Sequence, residues 1–298
     1  MAWVLLSVWH LKNQAIHKKN AEGDKMKKMT KVMWTSLVVG LFAAPGALLA
    51  ADAGPAPLAA SIDLPVLSSY VWRGQDLTDR PVVQPSLTLT KGIGSGTLSL
   101  NYWQNFNLTD QATGNSMEFS EHDITLSYAF TCPITGAGMT LGIVNYDFPN
   151  QSVASGTNGN IALVKDTREV YWSAGYSDLW LQPAVSVYYD FKAENGFYYL
   201  ASIGHSFEIQ KDVASFALGF STGLGSKDYN KFYFGSDKTA LEDGNVTAAL
   251  PYVINKSWTI TPGAQYTWLW DSTIRDDAGG LYRSKDEFVG SIKATYTF

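Results

Sequence analysis

Two histidines sit beside groups that could make them catalytic. His205 precedes Ser206, and His122 stands between Glu121 and Asp123. A serine hydrolase needs its hydroxyl within hydrogen-bond reach of a histidine that a third group orients. Adjacent side chains on an extended chain point to opposite faces, so His205 and Ser206 cannot serve each other. His122 shares its parity with Ile124, which puts it on an apolar face or at a rim. The other two histidines lie before residue 20, so a multi-histidine metal centre is excluded. One cysteine, Cys132, allows neither an intramolecular disulfide nor a cysteine-based zinc cluster. Oxygen ligands for calcium are conceivable among Asp237, Glu242, Asp243 and Asp271, Asp276, Asp277, but these read as solvated loop charges. Gly223-Leu224-Gly225-Ser226 and Gly156-Thr157-Asn158-Gly159 lack the strand, lysine and helix of a phosphate cradle and read as turns. No enzyme, metal or cofactor is expected. What remains is a set of isolated polar residues: Arg73, Glu121, Asp123, Glu169, Asp190, Gln265 and Lys293.

The elements that hold them are strands. From about residue 62 helical periodicity is hard to find and period-2 alternation is common. Over the last strand Phe288, Gly290, Ile292, Ala294, Tyr296 and Phe298 alternate with Val289, Ser291, Lys293, Thr295 and Thr297. Leu98–Phe106, Ile124–Phe130, Val185–Phe191 and Trp258–Trp270 follow the same rule. The predicted strands are 62–74, 82–91, 97–108, 119–131, 138–147, 167–177, 182–191, 196–208, 213–223, 245–254, 258–270 and 286–298. Short connections alternate with longer ones, 192–195 excepted. Even strand number and alternating loop length are the pattern of an all-β, antiparallel, up-and-down transmembrane barrel of about 12 strands. Ten or fourteen remain open.

Composition agrees. Hydrophobic residues make up 46% and charged residues only 16%, against about a quarter charged in a soluble domain. Mean hydropathy is nevertheless -0.07, and no apolar run after residue 50 reaches the ~18 residues of a spanning helix. Strands that meet lipid with every second residue reconcile these values. Pro65, Pro183, Pro251 and Pro262 fall near one set of strand ends and Pro85 near the other, as a barrel without edges requires. Tyr70/Trp72, Tyr171/Trp172, Tyr198/Tyr199 and Trp268/Trp270 are candidates for interfacial girdles.

Strand parity then turns the polar set inward. Arg73 opposes Tyr70 and Trp72 on strand 62–74, and Glu121, Asp123, Glu169, Asp190, Gln265 and Lys293 face the same side. They either line an aqueous path or pair across a closed lumen.

The N-terminal region reads as a targeting signal. From Met26, Lys27, Lys28 and Lys31 form a positive segment, Trp34–Phe42 an apolar one, and small residues follow to Ala51-Asp52-Ala53. The expected division is a start-site extension over 1–25, a signal peptide over 26–53 and a barrel over 54–298. A long positive segment beginning at residue 1 is the alternative. Positions 1–50 carry seven lysines and two acidic residues, so the remainder has 15 basic against 25 acidic side chains, near -10. That balance argues against nucleic acid as partner and allows a mild preference for cations or neutral solutes.

Ser68-Ser69-Tyr70-Val71-Trp72-Arg73-Gly74-Gln75, followed by Pro81, Gln84 and Pro85, resembles the first hairpin of the proteobacterial TorF-like porin family, which opens with Ser-x-Tyr-x-x-Arg-Gly. The motif covers about 25 residues. The resemblance implies a small outer-membrane barrel and no particular substrate. The terminal Tyr296 and Phe298 resemble the assembly signal of bacterial outer-membrane proteins. The expected partners are outer-membrane lipid and lipopolysaccharide, the barrel-assembly machinery, and small solutes. The expected function is a porin-like channel for small hydrophilic solutes; the alternative is a closed structural barrel that binds an envelope partner.

Overall fold

The computed structural model describes residues 58–109, 118–149, 154–155, 161–162 and 166–298. The segments expected as start-site extension and signal peptide lie outside the described residues. The strands are β1 (Ala59–Leu67), β2 (Tyr70–Trp72), β3 (Gln75–Thr78), β4 (Val82–Val83), β5 (Ser86–Ile93), β6 (Gly96–Asn107), β7 (Glu118–Thr131), β8 (Gly138–Asp147), β9 (Ala154–Ser155), β10 (Ile161–Ala162), β11 (Thr167–Gly175), β12 (Ala184–Asp190), β13 (Phe197–Gln210), β14 (Ala214–Gly225), β15 (Ala240–Ala249), β16 (Tyr252–Val253), β17 (Trp258–Leu269) and β18 (Asp286–Thr297). Helices α1 (Lys227–Phe234) and α2 (Ser272–Ala278) flank β15–β17.

Each barrel strand pairs antiparallel with its neighbours, and β1 closes on β18 with Ile62 opposite Tyr296 and Leu64 opposite Ala294. β4 and β5 form one stave interrupted at Gln84-Pro85, and β15 and β16 another interrupted at Leu250-Pro251, so the closed sheet has twelve staves. Closure leaves no edge with unpaired backbone groups, the condition for crossing hydrocarbon with strands. Ile62, Leu64, Leu100, Ile124, Leu126, Leu141, Val185 and Ile292 point outward and are exposed. A continuous apolar belt of this kind suits lipid, not water. Short turns and both Ala59 and Thr297 lie at one end. The connections carrying the β2–β3 hairpin, α1 and α2 lie at the other.

Four sequence expectations need correction. The stave expected over 62–74 ends at Leu67, because residues 68–81 leave the wall and fold into the barrel as the β2–β3 hairpin. Its two-residue turn places Arg73 at φ 46° and Gly74 at φ 76°, the left-handed pair that such turns use to match strand twist. The girdle pairs also separate. Trp172 and Tyr199 face outward, whereas Tyr171 and Tyr198 face the core with ring contacts to Tyr188. Trp72 also turns inward, against Tyr146 and Tyr233. Pro262 stands inside β17, opposite Ile292, instead of at its rim, and still accepts a bond from Leu250 N–H. Finally, two connections expected as plain loops contain helices. Ser226 caps α1 by accepting from Tyr229 N–H and Gly235 ends it at φ 75°; Asp271 caps α2 by accepting from Thr273 and Ile274.

Candidate functional site: a plugged acidic lumen

The hairpin and the helices build the site by filling the barrel at its long-loop end. Tyr146, Tyr171, Tyr188 and Tyr198 project inward from β8, β11, β12 and β13. They belong to one buried cluster with Tyr229 and Phe234 of α1, Ile274 and Ala278 of α2, and Tyr282, with Trp72 and Leu77 of the hairpin packed against it. Gly74 makes the close fit possible: a Cβ there would stand 2.6 Å from Leu269 Cδ2 and 3.0 Å from Asp243 Cβ. Tyr282 anchors the hairpin by donating to Gln75 Oε1 at 2.7 Å, and Arg283 pairs with Asp79 outside.

Arg73 is the hairpin's tip. Its two terminal nitrogens donate to both oxygens of Glu169 at 2.7 and 2.8 Å, with side chains only 7% and 1% exposed. Such a fork-on-fork pair is strong and directional. The guanidinium carbon lies 4.3 Å from the ring centre of Tyr198, 4.4 Å from Tyr188, 4.5 Å from Trp72 and 5.9 Å from Tyr229, within cation–π range. Tyr146 adds a third bond to Glu169 at 2.8 Å. Arg73 thus enters the lumen as part of a plug, not as a wall residue.

The wall carries far more negative than positive charge. Glu121, Asp123, Glu169, Asp190, Glu242 and Asp243 are all buried, as is Asp76 on the hairpin. Asp190, cross-strand partner of Glu169, accepts from Thr167 Oγ1 and from the N–H groups of Lys192 and Ala193. Glu121 lies close to Tyr70, with Asp123 beside it. Gln265 donates to Asn245 at 3.2 Å, Asn245 donates to Asp243 at 2.6 Å, and Tyr198 donates to the same carboxylate at 2.8 Å. That ladder ties mid-barrel to the seat of Arg73. Lys293 stands apart toward the short-turn end, 3.9 Å from Asp63, which also accepts from Thr295. Tyr296 and Phe298 lie at that end, with Phe298 70% exposed.

Several site residues escaped the sequence reading. Glu242 and Asp243, expected as solvated loop charges, are buried within β15. The ladder between Thr222 and Leu224 opposes one residue of β14 with these two of β15, and such a bulge turns consecutive side chains to one face. Period-2 counting cannot place such a pair. Both oxygens of Glu242, and Oδ1 of Asn230 close to it around Gly225, have no protein partner. Glu194, in the 191–196 connection, is half-buried. Burial, reinforced by Asp190 and Glu169, pushes its carboxyl up to about 9. The outer loops hold ordinary pairs: Lys238 bonds Asp271 at 2.6 Å and holds it below the usual carboxylate range, and Lys227 does the same to Asp237 at 3.1 Å.

The histidines lie elsewhere. His205 faces outward, its Nδ1 2.6 Å from the carbonyl of Trp180, with Ser206 on the other face. His122 pairs with Asp147 at 3.1 Å and stacks on Phe119 at the rim. Among the described residues no group of three or more His, Cys, Asp or Glu has the arrangement of a metal site.

The family described as "Bacterial protein of unknown function (Gcw_chp)" matches residues 50–274. The chain belongs to this family. No curated protein matches the sequence. Solved structures similar to this family member include a KdgM porin in complex with disordered oligogalacturonate, at 10% identity and TM-score 0.45, covering 80% of this chain and 99% of that one. A NanC porin matches at 13% identity and TM-score 0.44, covering 80% and 98%. The COG4313 outer membrane channel from Pseudomonas putida F1 matches at 10% identity and TM-score 0.49, covering 86% and 99%. The Gcw_chp match covers the Arg73 hairpin, α1 and both bulge carboxylates.

Proposed function

We propose that this protein is a porin-like channel of the bacterial outer membrane for small hydrophilic solutes, closed at its outer mouth by the Arg73 hairpin. The observation that carries the reading is the reversal of polarity across the wall. Outside is apolar; inside, below the plug, Thr97, Asn101, Thr125, Thr140, Ser173 and Thr261 face the lumen. The hydroxyls of Thr125, Thr140, Ser215 and Thr261 have no protein partner, so the inner face keeps hydrogen-bonding capacity that the wall itself does not consume. The Ser68–Gln75 motif supports the same reading through its TorF-like porin resemblance, and the surplus of carboxylates favours cations and neutral solutes over anions. Long connections face the exterior and short turns the periplasm. The lipid belt meets phospholipid and lipopolysaccharide, and Tyr296 and Phe298 serve the barrel-assembly machinery.

A second reading, a closed barrel whose loops bind an envelope partner, is favoured by the packing of the outer half around Tyr229 and Phe234. One experiment separates them. Single-channel recording in planar bilayers compares the whole chain with a variant in which residues 69–80 are replaced by a short Gly-Ser link. Steps that appear or grow in the variant support a plugged channel. Silence from both, with the barrel folded, overturns it and leaves the closed barrel.

A further inference from the structure

We infer that the seat of Arg73 is a binding site for organic cations bearing a guanidinium group, and that Arg73 is its tethered occupant. As a statement about the solute carried, this rests on the channel reading; as a statement about binding, it is tested separately.

The seat is built almost entirely by the wall. Glu169 comes from β11, Tyr188 from β12, Tyr198 from β13 and Tyr229 from α1, while the hairpin brings only Trp72 and Arg73 itself. Anchoring a hairpin needs one ion pair. Here a bidentate carboxylate is combined with the faces of Tyr188 and Tyr198 and with the hydroxyl of Tyr229, which accepts from Arg73 Nη1 at 3.4 Å, the arrangement that recognises a planar cation by its edge and its faces together. Tyr146 and the Asp190 network contact Glu169 and its neighbourhood independently of Arg73. Withdrawal of the tip would therefore leave a formed cage, not a collapsed one.

The polar atoms beside the cage exceed what Arg73 pairs with. Glu242 is fully buried, within electrostatic reach of Arg73 and Glu194, and neither of its oxygens has a protein partner. The adjacent Asn230 Oδ1 is also without a donor, its amide nitrogen being committed to the carbonyls of Gly225 and Lys238. Acceptors gathered beside the cage and short of donors call for a second cationic end. The ligand class that meets both demands is a linear solute with a guanidinium at one end and an amine at the other. Such a solute competes with Arg73 for Glu169 and, by occupying its seat, favours the hairpin's withdrawal.

The test uses the full-length protein in detergent and agmatine as probe, with pentane-1,5-diol as its uncharged counterpart at matched ionic strength. Isothermal titration compares wild type with Arg73→Ala and Arg73→Gln, folding being checked by heat-modifiable gel mobility. Both variants should bind agmatine at least about tenfold more tightly than wild type, because the tethered competitor is gone. Adding Glu169→Gln should abolish that binding. In wild type, agmatine should speed amide exchange over β2 and β3, a readout that needs no variant to fold. Folded Arg73 variants that bind agmatine no better than the diol, or keep binding it without Glu169, overturn the inference. Conductance distinguishes the two claims. Agmatine binding by a variant that never conducts sinks the channel and keeps the site; conduction without agmatine binding does the reverse.

Discussion

Replacing Glu169 by Gln should loosen the plug and leave the barrel intact. The pair it breaks has N···O distances of 2.7 and 2.8 Å and is almost wholly screened from solvent. With charge centres about 4 Å apart and an effective dielectric near 20, the attraction is about 4 kcal/mol. Breaking one side of a buried pair costs about 3–5 kcal/mol, because the remaining charge is left without its partner. Asp190, the cross-strand partner of Glu169, lies near enough to soften the loss, so about 3 kcal/mol is expected at the hairpin. Since about 1.4 kcal/mol is a factor of ten, the opening equilibrium should rise by about two decades. The assay is hydrogen exchange with mass spectrometry in lipid nanodiscs at neutral pH. Peptides spanning 68–81 should exchange about 100-fold faster, while those from β13 and β17 stay as in wild type. The Arg73→Gln/Glu169→Gln pair should lose at least about 1 kcal/mol less than the two single changes together. An unchanged hairpin, or equal acceleration in the staves, would refute the assignment of Arg73–Glu169 as the lock of the plug.

Other perturbations probe neighbouring parts. Gly74→Ala should also free the hairpin, by about 2 kcal/mol or more, since φ 76° disfavours a side chain and Leu269 and Asp243 leave no room for one; limited proteolysis within 68–81 reads it. Glu194 has a folded pKa of about 9, raised from 4.5, so its neutral form contributes stability that is complete below pH 4.5 and lost as pH rises to 9. The protection factors of the 191–196 connection, which remove the intrinsic pH dependence of exchange, should therefore fall from pH 5 to 9, and Glu194→Gln should flatten that trend. Phe298→Ala should slow assembly into the outer membrane in cells yet change folded stability by no more than about 0.5 kcal/mol, because the ring is 70% exposed; a urea midpoint that falls as far as the assembly yield would make its role structural.

How much was legible beforehand differs between wall and lumen. The alternation of Phe288–Phe298 with Val289–Thr297, and its counterparts on the other strands, carried the all-β barrel of about twelve staves and the reversal of polarity between the two faces of its regular strands. Glu121, Asp123, Glu169, Asp190 and Gln265 are buried, and Lys293 stands beside Asp63. The helix caps were also written locally, in Ser226 and Gly235 and in Asp271, but their short helices carry too few turns to show a period. Arg73-Gly74 likewise carried the marks of a tight turn inside what alternation made one strand.

By itself the sequence determined a lipid-facing, inward-polar sheet of about twelve strands, because the two faces of a strand meet different solvents and each residue's choice is local. Only the tertiary structure decided that 68–81 leaves the wall, that a bulge turns Glu242 and Asp243 inward together, and that Arg73 meets Glu169 across 96 residues of chain. Those outcomes depend on what fills a closed lumen, and lumen filling is settled between distant segments competing for one volume, which leaves no period along the chain.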